Sequence, residues 1–280
     1  MHPFLGTIPT PWGGIPIFTY GVLVAAGVLL GLWYARRYAA RVGIDPERVW
    51  NLGIYIVLAG LAGAKIWFVL SSAGYYWHHR NEIFGFATLQ SGGTFYGGFL
   101  GALLVAVLYA RFQRLPFLPL LDSYSAGLPL GHAIGRLGCF AAGCCYGKPT
   151  FLPWAVTFTS PRAAELVGTP LNIPLHPTQL YEAAAEFLNF LILVALARKQ
   201  RFQGEIFATF ILLYGLERGL IEFVRGDPGR TLLLHGRFSL MQVVSLALIL
   251  LGAWMWRSGL KKSRAAHGPS GTSSAVPVRQ

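Results

Sequence analysis

Residues 15–35 read IPIFTYGVLVAAGVLLGLWYA, twenty-one positions without one charged side chain. About 20 apolar residues in a helix cross the hydrocarbon core of a bilayer, and in lipid every backbone amide must be satisfied within its own segment. The stretch therefore predicts a membrane-spanning helix. Working outward, six further segments have the same character: about 51–72, 94–111, 118–136, 179–197, 204–224 and 238–256. The fourth is interrupted by Asp122, His132 and Arg136. Composition agrees with this reading: 54% of residues are hydrophobic, only 12% are charged, and mean hydropathy is +0.51. That charged share is about half of what a soluble chain carries. The predicted fold class is an all-α integral membrane protein of about seven transmembrane helices around a central lipid-accessible cavity.

The net charge of +12, from 23 basic and 11 acidic residues, would point to nucleic acid in a soluble protein. In a membrane protein it reports orientation, because Lys and Arg collect on the cytoplasmic side. Fourteen basic residues fall in one alternating set of loops, including Arg36, Arg37, Arg41, Arg48, Arg198, Lys199, Arg201 and Lys261. Six fall in the other: Arg80, Lys148, Arg162, Arg225, Arg230 and Arg237. The expected topology is N-terminus outside and C-terminus cytoplasmic, with a bilayer and no nucleic acid as partner. Residues 1–257 read as a single polytopic domain with outer loops at about 74–93 and 137–178. Residues 258–280 are polar and basic, too poor in apolar area to fold alone, and are expected to form a disordered cytoplasmic tail. The N-terminus lacks a basic region ahead of its first apolar run, so the first helix is expected to be retained.

Ionisable groups in a bilayer cost several kcal/mol each and are kept mainly where they pair or bind something. The sixth segment contains YGLERGLIEFVRGD, which sets Tyr214, Arg218 and Glu222 on one helical face with Arg225 a turn beyond. An internal Arg218–Glu222 ion pair is the plain structural reading. Counting only these residues, surplus positive charge remains, which suits a phosphate or carboxylate. The fourth segment ends GHAIGRLGCFAAGCCYGKPT, where glycines, Gly147 among them, surround Arg136 and permit close backbone approach. The planar fork of Arg136 suits a phosphate. The third opens with Tyr96, Gly97 and Gly98, and Tyr is also a common interfacial anchor. At the start of the fifth, LHPTQLYEA gathers His176, Gln179, Tyr181 and Glu182; here Thr178 is a natural N-cap with Glu182 in the first turn. Cys139, Cys144 and Cys145 lack the CxxC spacing of zinc sites, so no metal is expected, and no cofactor.

Together these motifs resemble the prolipoprotein diacylglyceryl transferase family of the bacterial inner membrane. The family signature has the form GRxGNFxNxExxG, and GRLGCFAAGCCYG keeps Gly135, Arg136, Gly138, Phe140 and Gly147 in register. Tyr20-Gly21, Tyr96 to Gly98, His176 to Glu182, and Tyr214, Arg218, Glu222 and Arg225 correspond similarly. The sequence departs at Cys139, Ala142 and Cys144, where the signature has Asn, Asn and Glu. Tyr96 stands where well-known members carry His, and Lys65 where they carry Arg. The resemblance implies transfer of the diacylglyceryl group of phosphatidylglycerol to the lipobox cysteine of a preprolipoprotein, releasing glycerol 1-phosphate. It also implies catalytic roles for Arg136, Arg218, Glu222 and Tyr96. Arg136 and Arg218 would hold the phosphate, with Glu222 orienting Arg218 and Arg225 at the mouth. Tyr20 and Tyr214 would donate to the lipid, and Gly97, Gly98, Gly147, His176 and Gln179 would complete its binding site. The base for the substrate thiol is not identified. A lipid or small-anion carrier, or a non-catalytic lipid- or lipoprotein-binding relative, would use the same arginines without chemistry.

Overall fold

The structure, a computed structural model, describes residues 3–10, 13–83, 85, 94–228, 231–233 and 238–266. Most of the far half of the expected outer loop at 74–93, and residues 267–280 of the expected tail, lie outside these. In chain order the helices are α1 (Thr19–Ala39), α2 (Pro46–Ser71), α3 (Ala73–His78), α4 (Phe95–Phe112) and α5 (Phe117–Ala142), then α6 (Pro161–Val167), α7 (Thr178–Ala197), α8 (Glu205–Ile221) and α9 (Leu240–Ala266). The described residues are mostly helical, at 71%. Each of the seven predicted apolar stretches is a helix. Four of them, α1, α2, α7 and α9, are long and apolar enough to cross a membrane, and α4 is a shorter apolar helix. Helices α5 and α8 bury ionisable side chains, Asp122 in the first and Glu205 and Arg218 in the second, which dilute their apolar character.

Three boundaries differ from expectation, each for a local reason. The first helix begins at Thr19 rather than 15, because Gly13–Phe18 is strand β2, paired antiparallel with β1 (Phe4–Thr10). Pro16 disfavours helix at Ile15, the residue before it. Helix α5 continues to Ala142, so most of the GRLGCFAA run is helical and the following loop starts six residues later than predicted. Helix α9 reaches Ala266, taking nine residues from the expected tail. Its extension carries Lys261, Lys262 and Arg264, and cations near a helix C-terminus are favourable.

The chain divides into two compact units, one of residues 28–128 and one of residues 1–27 with 129–280. In the first, Asp45 caps α2 by accepting from the Glu47 amide at 3.0 Å, with Pro46 opening the helix. Ala35, Ala39, Ile44, Val49, Leu52 and Leu120 form its buried cluster, and the Tyr124 hydroxyl donates to the Val49 carbonyl at 2.7 Å. Helices α2 and α4 pack through small residues. A Cβ on Gly101 would lie 2.6 Å from the Ala59 carbonyl oxygen, and one on Gly98 3.1 Å from that of Gly60. In membranes, such small-residue contacts replace the hydrophobic drive that lipid does not supply.

In the second unit α8 packs against both α7 and α9. Its loops add a small core of Tyr146, Phe158 and Leu175, and two short ribbons, β3 (Val156–Thr157) with β4 (Pro174–Leu175) and β5 (Leu232–Leu233) with β6 (Phe238–Ser239). Leucines and aromatics remain exposed along α2 and along α9, among them Leu61, Leu70, Leu250 and Trp254. Rows of exposed apolar side chains of this extent suit lipid contact.

Candidate functional site

Helix α7 carries the site's polar face. Beyond Thr178 and Tyr181, its sequence TQLYEAAAEFLNFLILVALA is apolar except for a stripe at Gln179, Glu182, Glu186 and Asn189, spaced three, four and three residues apart. That spacing puts all four on one side of the helix. All four are buried, Gln179, Glu182 and Glu186 at 1% exposure or less. Isolated buried carboxylates are too costly to leave unpaired, and each finds a partner from α5 or the loops.

On α5, His132 and Arg136 lie one turn apart. His132 Nδ1 meets Glu186 Oε1 at 2.5 Å, and the Arg136 Nε–H donates to His132 Nε2 at 3.2 Å. The second bond requires Nε2 to accept, which leaves the ring proton on Nδ1, facing the Glu186 carboxylate. Arg136 forms an ion pair with Glu182, and Arg225 Nη1 approaches the same carboxylate at 3.7 Å. Two guanidinium groups therefore converge on one buried acid. Arg225 is also clamped by Asp227, with Nε–Oδ1 at 2.5 Å and Nη2–Oδ2 at 3.2 Å. Burial opposes the charged form of Arg225, but the hydrogen bonds and charge of Asp227 outweigh it and raise its pKa overall.

Three loop segments fix Arg225 in place. Gly147 pairs with Arg225 in a short bridge; the Gly147 amide donates to the His176 carbonyl at 2.9 Å, and the Lys148 amide to the Val224 carbonyl at 2.8 Å. A side chain on Gly147 would have its Cβ 2.7 Å from the His176 oxygen and 2.8 Å from the Val224 oxygen. The glycine is required by close backbone approach. The preceding turn is held from α7: Gln179 Nε2 donates to the Cys144 carbonyl and Thr178 Oγ1 to the Cys145 carbonyl, both at 2.7 Å. The expected N-cap role of Thr178 is thus not the one found, since Thr178 is already helical and its hydroxyl is spent on Cys145.

The cysteines also depart from expectation. Although Cys144 and Cys145 are adjacent, a positive φ of 61° at Cys145 turns the chain, and the sulfurs of Cys139, Cys144 and Cys145 lie within 4.8 Å of one another. All three are free thiols. Hydrogen bonds from Cys139 and Cys144 lower the Cys145 pKa despite burial, with Arg225 and Arg136 adding to the shift. Hydrogen bonding with Cys139 and Cys145, together with burial, raises that of Cys144.

Of the other predicted residues, Tyr214 lies with its ring centroid 6.1 Å from that of His132 and within electrostatic reach of Arg218, Glu186, Arg136 and Glu182. Arg218 is 7% exposed and pairs at 2.7 Å with Glu222, the C-cap of its own helix. The sequence reading coupled Arg136 to Arg218; the structure couples it to Arg225 through Glu182. His176 approaches the Tyr181 hydroxyl at 3.3 Å, and Trp154 Nε1 donates to that hydroxyl at 2.7 Å. Tyr20 packs by Gly138, whose added Cβ would lie 3.3 Å from the ring. Tyr96, 66% exposed, and Gly97 and Gly98 belong to the other unit, where both glycines serve the α2–α4 contact.

Surplus positive charge is the expectation that fails. Glu182, Glu186, Glu217, Glu222 and Asp227 accompany the three arginines, and Glu217 accepts from Asn189 Nδ2 at 2.7 Å. The arginines are pre-paired. Sequence reasoning passed over Glu186, Asn189 and Glu217, and gave His132 no place in the site. The polar stripe of α7 and the His132–Arg136 spacing were the signals that would have found them.

Fold and site define a membrane-embedded protein whose buried arginine and carboxylate groups are gathered beside a cysteine-rich turn. Residues 8–258 match the family model of prolipoprotein diacylglyceryl transferase. Proteins named phosphatidylglycerol–prolipoprotein diacylglyceryl transferase align along nearly their whole length. That of Geobacter sulfurreducens is 36% identical over 257 residues, covering 89% of this chain and 92% of the relative. Those of Clostridium tetani and Clostridioides difficile are 32% and 33% identical, covering 87% and 85% of this chain and 93% and 89% of theirs. The chain belongs to the prolipoprotein diacylglyceryl transferase family.

Proposed function

We propose that this protein transfers the diacylglyceryl group of phosphatidylglycerol to the lipobox cysteine of preprolipoproteins at the outer face of the bacterial inner membrane. The observation that carries this reading is the convergence of Arg136 and Arg225 on Glu182, in a chain whose relatives bear that activity in their names. The substrate sulfur attacks the glyceryl carbon that bears the phosphate ester. A carbon–sulfur bond forms, the carbon–oxygen bond breaks, and the electron pair leaves on the phosphate oxygen of glycerol 1-phosphate. Guanidinium groups fixed before the reaction stabilise that developing charge without reorganising.

In this reading Arg136 and Arg225 meet the phosphate. Glu182 holds the two forks at one point, and the His132–Glu186 pair sets the angle of Arg136 from behind. Arg218, braced by Glu222, and Tyr214 and Tyr20 line the lipid site, with Gln179, His176 and Gly147 shaping its loop. Tyr96, Gly97 and Gly98 belong to the other unit, where the glycines serve the α2–α4 contact. The seven helices span the bilayer with the N-terminus outside and the C-terminus in the cytoplasm, a reading that the distribution of basic residues supports.

The test is purified protein with phosphatidylglycerol labelled in the glycerol headgroup and a lipobox peptide. A thioether-linked peptide and labelled glycerol 1-phosphate, both absent with a Cys→Ser peptide, are the expected products. Movement of unchanged lipid across vesicles without either product would instead identify a carrier and reject the proposal.

A further inference from the structure

The three cysteines are not needed by the reaction described above, and their arrangement is more specific than chance proximity. They come from two places, the last turn of α5 and the turn after it, yet all three sulfurs lie within 4.8 Å of one another. The Cys144 and Cys145 sulfurs are 3.7 Å apart. A tetrahedral zinc–thiolate centre with Zn–S bonds of about 2.3 Å places its sulfurs about 3.8 Å apart. Adjacent cysteines seldom serve one ion because their side chains diverge from an ordinary backbone. Here the left-handed conformation of Cys145 removes that obstacle, and strained conformations of this kind persist only where the surroundings enforce them. The surroundings do so: Gln179 and Thr178 grip the carbonyls of Cys144 and Cys145, each at 2.7 Å.

Charge supports the same reading. Three thiolates around a divalent ion carry one net negative charge. Arg136 and Arg225, both within electrostatic reach of Cys145, face it. Thiolate ligands select soft or borderline ions with filled d shells, copper(I) and zinc(II) among them, over magnesium or calcium.

We propose that Cys139, Cys144 and Cys145 form a three-thiolate binding site for a thiophilic d10 metal ion at the edge of the arginine cluster. Binding exchanges three thiol protons for the ion, so affinity rises with pH. The site stands on sulfur geometry alone and does not depend on the lipid-transfer reading.

The full-length protein, reduced and in detergent, is titrated anaerobically with Co²⁺. A thiolate-to-metal charge-transfer band that saturates at one equivalent and is bleached by Zn²⁺ is expected. Cys139→Ser, Cys144→Ser and Cys145→Ser should each weaken binding by on the order of tenfold or more, since even outer-shell losses cost that much. A readout without variants guards against misfolding: Zn²⁺ should protect all three thiols of the unaltered protein from alkylation, counted by mass spectrometry. The proposal is overturned if no band appears and alkylation is unchanged, or if the band survives in the triple Ser variant. Protection that vanishes under full reduction would mark a disulfide and overturn it equally. Lipid transfer measured on the same preparation shows independently whether the protein is active.

Discussion

Arg136 is the residue on which the site turns, because it touches three things at once: Glu182 by ion pair, His132 by hydrogen bond and, through Glu182, Arg225. Removing it has two separable consequences. The loss of an electrostatic donor aimed at developing charge costs about 10²- to 10³-fold in rate. It also breaks the ion pair of Glu182, leaving the 3.7 Å approach of Arg225, and breaking a buried pair from one side costs about 3 to 5 kcal/mol. Arg136→Ala is therefore expected to lose both transfer and thermal stability. Adding Glu182→Gln should recover much of the melting temperature without recovering transfer, which thermal denaturation in detergent and the labelled-lipid assay together report. Normal turnover in a folded Arg136→Ala protein would remove the arginine from the reaction. Arg136→Lys should also be poor, because an ammonium cannot reproduce the planar fork. Tyr96 is a different case. Its phenol is a weak base, it is exposed, and it lies in the other unit. Tyr96→Phe is expected to keep measurable transfer with a modest loss, the rate rising with pH as the substrate thiol ionises. Complete inactivity of the folded variant would make that hydroxyl obligatory.

At the scale of elements, α8 offers a clean choice between structure and chemistry. The Arg218–Glu222 pair lies at its C-terminal end, Arg218 in the last turn and Glu222 as the C-cap. If the pair only braces the helix, Glu222→Ala lowers the melting temperature and leaves activity per folded molecule intact. If it orients the Arg218 fork toward lipid, specific activity falls as well, and that is the outcome expected here. The loop elements make a sharper prediction. Gly147→Ala would drive a methyl group into two carbonyl oxygens, and such overpacking costs about 1 to 3 kcal/mol. Because Gly147 bridges to Arg225, both stability and transfer should decline, and a variant with unchanged melting temperature would show that the bridge is not required. These elements also show what a sequence can reveal. Helices α1, α2, α7 and α9 were legible because membrane solvation writes itself as long apolar runs. Arg136 and Arg225 were legible as rare charges in apolar surroundings. Glu182 was visible only as a capping residue, since the helix start suggested a local role. Its true partners come from α5 and from the loop after α8, contacts of long sequence separation that no periodicity encodes. The cysteine cluster was hidden for a related reason: one left-handed residue overrode the spacing rule.

Over the whole molecule, the distribution of basic residues outside the site becomes a statement about topology. Fourteen basic residues lie in the loops assigned to the cytoplasm against six in those assigned outside, and the former are concentrated at helix ends. Arg36 and Arg37 close α1, Arg111 closes α4, and Arg264 with Lys261 and Lys262 closes α9. Such residues resist translocation, and those close to the ends of spans weigh most. Arg36 is further tied to Glu47 at the start of α2, and Arg48 to Asp45 at 3.5 Å, so the turn between these helices is dressed in paired charge. The opposite loops carry Trp77 and Trp154, and Tyr181 stands in the first turn of α7; all three are aromatic residues of the kind found at membrane interfaces. On the proposed function, glycerol 1-phosphate would leave on the side where Arg225 and the 143–149 turn lie. The expected outcome is that a membrane-impermeant amine reagent added to intact spheroplasts labels Lys148 but spares Lys261 and Lys262 until the membrane is opened. Labelling of Lys261 or Lys262 from outside would invert the topology. It would also put the arginine cluster at the cytoplasmic face, where an exported lipobox cysteine does not present itself.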